Sequence, residues 1–173
     1  MDDIFMTSGA AGALADNLFK AAGFNFVGWN TLADGTGTAY TDGASVSNLT
    51  TENNGVVDLY AQWTTPKVWL QSTAIDSAKI DNLTRADLDP SGTGYATLAD
   101  AIAAIANGGT GHIILLEDDT SRSSLTIDNN KKVTLYGVHK DSGWCAVNNY
   151  ISLKSSASLE LYNLNIANLM QLF

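Results

Sequence analysis

Glu117-Asp118-Asp119 is the one acidic cluster of this sequence that directly follows an apolar run, Ile113-Ile114-Leu115-Leu116. Carboxylates at the end of a strand can ligate calcium or act as acid and base in glycan cleavage. Glu117, Asp118 and Asp119 are therefore the candidate metal ligands. The competing reading is a solvated turn after Leu116, and the general exposure of charged runs after strands favours it. His112 and His139 share no helical face and have no Cys or acidic partner at ligand spacing, so they read as surface or turn residues. Of the four tryptophans, Trp29 and Trp63 read as core. Trp144, in the loop opened by Asp141-Ser142-Gly143, is the candidate ligand surface. Gly92-Thr93-Gly94 and Gly108-Gly109-Thr110-Gly111 lack the Lys and the strand-to-helix context of a phosphate loop, and Ser8-Gly9 is no nucleophile elbow. The lone Cys145 excludes an internal disulfide framework and a Cys-rich zinc site. No catalytic residue and no cofactor are expected.

The elements that must position these residues have to be built from 173 residues, 45% of them hydrophobic and only 16% charged. That length is one ordinary domain or two small ones. Mean hydropathy is zero, and no apolar run approaches the roughly 20 residues of a membrane span, so membrane insertion is not expected. The net charge is −9. Residues 1–63 hold one Lys and seven acids; residues 64–173 hold eight bases and eleven acids. Neither half has a basic stripe, which argues against nucleic acid as a partner. The amino terminus, Met1-Asp2-Asp3, has neither the basic nor the apolar region of a signal peptide.

Two compositional blocks meet near Trp63–Lys67. In the first, residues 11–21 suit a short helix ending at Gly23 with Leu14 and Leu18 inward. Phe24 to Trp29 suits a half-buried strand, and Val56 to Trp63 a second one with Val57, Leu59, Ala61 and Trp63 on one face. Asp34-Gly35 and Asp42-Gly43 are turn pairs. The ordered set Gly23-Phe24-Asn25-Phe26-Val27-Gly28-Trp29-Asn30, Asp34-Gly35-Thr36-Gly37-Thr38-Ala39-Tyr40 and Leu59-Tyr60-Ala61-Gln62-Trp63 resembles the Listeria–Bacteroides repeat, or internalin B-repeat. Phe24 stands where that pattern has Tyr, a change a core accommodates. The resemblance implies a small β-grasp-like module on a bacterial surface protein, a spacer or adhesin rather than an enzyme. It also implies a first strand upstream of Met1, so the expectation is a fragment of a longer secreted or cell-surface parent.

The second block opens with a polar stretch, residues 64–94, in which Val68-Trp69-Leu70 suits a strand and Asp89-Pro90-Ser91-Gly92 a turn. Thr97 and Asp100 form a capping-box-like start to a helix with Leu98, Ala101, Ile102 and Ile105 on one stripe, closed by Asn107-Gly108-Gly109. The buried strand Ile113–Leu116 follows. Residues 125–136 then align with residues 151–162 at a constant offset of 26: Leu125 with Ile151, Ile127 with Leu153, Val133 with Leu159, Leu135 with Leu161, Tyr136 with Tyr162. A fixed period with short strands predicts a solenoid; a sandwich of hairpins is the alternative.

The helix-then-strand opening from Tyr95 resembles the start of right-handed parallel β-helices of the pectate-lyase-like superfamily. The expected fold is therefore mainly β: residues 1–63 a truncated β-grasp-like module, 64–94 a linker with the first β-helix strands, 95–173 a cap helix and the first coils. The expected function is a non-enzymatic surface spacer or adhesin. Its partner would be a host or cell-wall glycan or protein, with self-association through open sheet ends. The alternative is the amino-terminal part of a carbohydrate-active lyase or glycosidase.

Overall fold

The computed structural model describes residues 5, 10–52, 54–140 and 143–166. Among them the fold is mainly β, with several small sheets and one α-helix. The chain divides into two compact units, residues 1–20 with 25–64, and residues 21–24 with 65–173.

The first unit holds β1 (Gly12–Ala13), β2 (Asn25–Asn30), β3 (Ala39–Tyr40), β4 (Ser45–Val46) and β5 (Tyr60–Thr64). A three-stranded antiparallel sheet runs β3-β2-β5, and β1 pairs antiparallel with β4. Leu14, Trp29 and Val46 form its buried core, with Phe26, Tyr40, Leu49 and Leu59 packed around them. Trp63 is half-buried and meets Phe26 edge-on at 5.4 Å.

Three expectations for this unit need correction. Residues 11–21 form no helix. Leu14 N donates to Ala44 O at 2.9 Å, and the Asn17 side chain accepts from Phe19 N at 2.9 Å, a local bond that competes with helix formation. Leu14 is buried, but Leu18 is 84% exposed, so the two do not share an inward stripe. The second strand starts at Tyr60, not Val56, because its partner β2 stops at Asn30, which faces Tyr60. The Asn30 side chain instead organises the following turn, accepting from Leu32 N at 2.9 Å and donating to Gly35 O at 3.0 Å. Finally, Phe24 is no core residue of this unit: it belongs to the second unit, where the Arg85 guanidinium lies 5.0 Å from its ring centroid and also donates to Gly23 O.

The second unit holds β6 (Val68–Gln71), β7 (Thr93–Tyr95), α1 (Leu98–Ala104), β8 (Thr110–Leu115), β9 (Ser124–Ile127), β10 (Lys132–Gly137), β11 (His139–Lys140), β12 (Gly143–Trp144), β13 (Ala146–Val147), β14 (Tyr150–Leu153), β15 (Ser158–Tyr162) and β16 (Asn165–Ile166). The seven-residue α1 starts as its capping pattern requires: Thr97 Oγ1 accepts from Asp100 N at 3.1 Å. It stops at Ala104, before the expected Asn107-Gly108-Gly109, because Ile105 already turns extended. No helix among the described residues is long and apolar enough to cross a membrane.

The repeat units are not hairpins. β9 pairs parallel with β14 rather than with β10, and Ser124 faces Tyr150. Likewise β10 pairs parallel with β15, and Lys132 faces Ser158. Both registers are 26 residues, the sequence period itself, as the Thr126–Ser152 hydroxyl contact at 3.1 Å also shows. β8 lies on the other side of β10, again parallel. A third ladder joins Asp119 to Val147 and β13 to β16, all parallel. The chain thus visits three ladders in one order: β8, Asp119, β9, then β10, β13, β14, then β15, β16. Alternation turns Ile113, Val133, Leu135 and Ile127 into a core where none exceeds 1% exposure.

The tight turn after β9 uses left-handed Asn129 and Asn130, and the equivalent turn after β14 uses left-handed Ser155. Asn tolerates this conformation because its short polar side chain bonds locally. Here Asn130 Oδ1 accepts from Ser156 N one rung on, at 3.2 Å. The polar stretch 72–92 carries no regular strand yet packs firmly. Ile75, Leu83 and Leu88 are buried with Trp69, Ile114 and Tyr136, Trp69 Nε1 donates to Asp89 O at 3.2 Å, and Asn163 Nδ2 donates to Ile80 O at 2.6 Å.

Candidate functional site

Asp118 and Asp119 sit at the corner where the chain leaves β8 for the third ladder, and both brace the next rung. Asp118 accepts from Ala146 N at 2.8 Å and from Lys140 Nζ at 3.4 Å. The Ala146 bond, with the Lys140 charge behind it, holds this carboxyl below the usual carboxylate range. Asp119 accepts from Asn149 Nδ2 at 2.7 Å and from Ser121 N at 3.0 Å. Its backbone donates to Ala146 O at 2.9 Å and accepts from Asn148 N at 3.1 Å. Glu117 is exposed, and its N–H donates to Lys67 O at 3.3 Å. The three candidate ligands therefore do not converge on one point. Among the described residues no group of three His, Cys, Asp or Glu side chains could hold a metal ion.

Trp144 lies on a short antiparallel hairpin, β11 with β12, in which it faces His139. The two rings meet edge-to-face at 4.7 Å and 82°, an arrangement the indole quadrupole favours. Asp141 and Ser142, expected in this loop, lie outside the described residues. Lys140 on the same hairpin is the residue that Asp118 holds, so hairpin and acidic corner form one surface. Behind it Cys145 is fully buried, and burial pushes its thiol up. The corner thus presents a half-buried indole, an exposed imidazole and a partly exposed Lys–Asp pair. They offer no activated nucleophile.

A second cluster escaped the sequence. Tyr136 stacks on Tyr162 at 5.3 Å, and its hydroxyl shares a 3.3 Å hydrogen bond with His112 Nδ1. Burial lowers the His112 pKa and the Glu160 charge opposes that shift. The Tyr-on-Tyr match was visible at the repeat offset. Joining His112 to Thr134 and Glu160 needed the register of β8 on β10, Thr110 facing Lys132, which the sequence does not repeat. His112 is thus a half-buried strand residue, not a turn residue. Tyr136 as a residue is buried, at 4% exposed.

No protein-family model, no curated protein and no solved structure matches this chain.

Proposed function

We propose that the chain is a non-enzymatic cell-surface spacer or adhesin. Residues 1–63 are read as a B-repeat-like module, and residues 95–173 as a cap helix and the opening coils of a right-handed parallel β-helix, acting outside the cell on a host or cell-wall glycan or protein. The observation that carries this reading is the coincidence of sequence period and parallel register, Lys132 on Ser158 and Ser124 on Tyr150. Such a stack is built by adding like units, and each unit needs only its neighbour. The corner carboxylates support the same reading, since Asp118 and Asp119 hold rung to rung. Self-association belongs to it as well: among the described residues β14 and β15 are the outermost strands of their sheets, and an open strand edge templates another chain.

The test is retention without turnover. Purified protein is mixed with host, plant and bacterial-wall polysaccharides; co-sedimentation reports binding, and new reducing ends or unsaturated products report cleavage. The expected outcome is binding with no products, with or without calcium. Calcium-dependent cleavage of an acidic polysaccharide would replace this reading with the lyase alternative.

A further inference from the structure

The turn that leads from α1 into β8 runs through Ala106-Asn107-Gly108-Gly109. Gly109 N closes it on Ala106 O at 2.9 Å, and Gly108 takes a left-handed φ of 72°. Asn107 and Gly108 are both exposed. No heavy atom lies within 4 Å of where a Gly108 Cβ would stand, so no neighbour crowds that side of its backbone nitrogen. An asparagine before a glycine can react with its own chain: the unhindered glycine nitrogen is the nucleophile and the side-chain amide carbon the electrophile. Here that nitrogen is engaged. Gly108 N donates to Asn129 O at 2.8 Å, in the stacked turn of the next rung, and Lys132 N donates back to Gly109 O at 2.9 Å. The pair is thus held by the neighbouring rung as well as by its own turn.

We propose that Asn107-Gly108 is a self-modifying site, closing to a succinimide that water opens to an aspartyl or isoaspartyl residue, with the contact between Gly108 N and Asn129 O as its gate. This goes beyond the adhesin reading and stands without it. Hydroxide takes the Gly108 amide proton, and the nitrogen forms a bond to Asn107 Cγ. The Cγ–Nδ2 bond breaks, and the departing nitrogen takes a proton from water and leaves as ammonia. A further water then cleaves one ring C–N bond. Cleavage at Cγ leaves aspartyl; cleavage at the main-chain carbonyl carbon leaves isoaspartyl. The gate acts on the nucleophile: while its hydrogen is bound to Asn129 O, the nitrogen is neither deprotonated nor free to turn toward Cγ. Reaction therefore proceeds from locally opened molecules. Each conversion places a negative charge between α1 and β8, and the isoaspartyl form also adds a methylene to the main chain there. The sequence has one other such pair, Asn54-Gly55, in which Gly55 N donates to Glu52 O at 3.1 Å within a single turn.

The test incubates the full chain at mildly alkaline pH, folded and in guanidinium chloride. Peptide mass spectrometry reads the amide-to-acid mass gain at each pair, and isoaspartyl methyltransferase labelling reads the isoaspartyl share. In denaturant both Asn107 and Asn54 are expected to convert. In the folded chain Asn107 should convert at least about 10-fold more slowly than in denaturant, and hydrogen exchange at the Gly108 amide should be slowed as well, since both need the same opening. Asn107→Gln, whose longer side chain closes a ring far less readily, should remove the mass gain from that peptide. Ile127→Ala deletes a fully buried side chain from the strand that leads into the Asn129 turn and leaves the pair itself intact. It should speed folded-state conversion at Asn107 by roughly 3-fold or more, with circular dichroism checking that the variant is folded. No conversion at Asn107 in denaturant, where Asn54 reacts, would overturn the site. Conversion as fast in the folded chain as in denaturant, or a freely exchanging Gly108 amide, would overturn the gate, and that second measurement needs no variant.

Discussion

Tyr136 and Tyr162 lie on adjacent parallel strands with ring centroids 5.3 Å apart and planes 14° from parallel. They meet because residues at the repeat offset occupy the same position on successive rungs. The contact is thus a direct readout of register, and its energetics report whether the rungs stack in solution as described.

Tyr136 is 4% exposed and Tyr162 39%, so the two should not behave alike. Tyr136→Ala is expected to cost about 3–5 kcal/mol, as for other buried aromatic truncations. Tyr162→Ala should cost about 1 kcal/mol. A double-mutant cycle by chemical denaturation should give a coupling of roughly 0.5–1.5 kcal/mol. Strict additivity would mean the rings are not in contact.

Asn149 is 2% exposed and links two corners. It accepts from Ser121 Oγ at 2.8 Å and Ser123 N at 3.1 Å, and donates to Asp119 Oδ2 at 2.7 Å. Asn149→Ala should destabilise by about 1–3 kcal/mol, because those partners are left unsatisfied. Asn149→Asp replaces the donor with a carboxylate facing the Asp119 carboxylate. It should be unstable at neutral pH and recover relative to wild type on acidification, when one proton can be shared. Urea midpoints at neutral and mildly acidic pH measure this, and a pH-independent deficit would show that the two side chains do not face each other.

Asp87 accepts from Lys79 Nζ at 2.8 Å, and from Thr84 Oγ1 at 2.7 Å and Thr84 N at 3.0 Å, closing a capping box. The Lys79 hydrogen bond foremost, then those from Thr84, holds its carboxyl down at about 2, against 3.8 for a free Asp. A depressed folded value means the stabilisation is complete above 3.8 and is lost as pH falls through about 2. Asp87→Asn should therefore be less stable than wild type at neutral pH, and the gap should close over that interval. A gap that stays constant down to the lower value would rule out the ion pair and box as its source.

Legibility in the sequence followed locality. The cap of α1 could be read because Thr97 and Asp100 are three residues apart and answer each other directly. The 26-residue offset could be read because a parallel register repeats in sequence whatever repeats in space. The stretch 72–92 could not, since Ile75, Leu83 and Leu88 are buried by tertiary packing without any period. The spacing of Leu14 and Leu18 imitated a helix, although a two-residue strand pairing and an Asn17 turn decided that segment. Trp144 was singled out by residue type. Its pairing with His139 and the approach of Lys140 to Asp118 depend on the fold alone.

The equality of period and register has a consequence for how such a chain changes length over evolutionary time. An in-frame duplication of one 26-residue stretch would keep the registers of β9 on β14 and of β10 on β15, whereas the ladder of Asp119, β13 and β16, with other offsets, would gain new neighbours. The stack would grow by about 4.8 Å per copy. Reach could then be tuned by adding whole units along those two ladders.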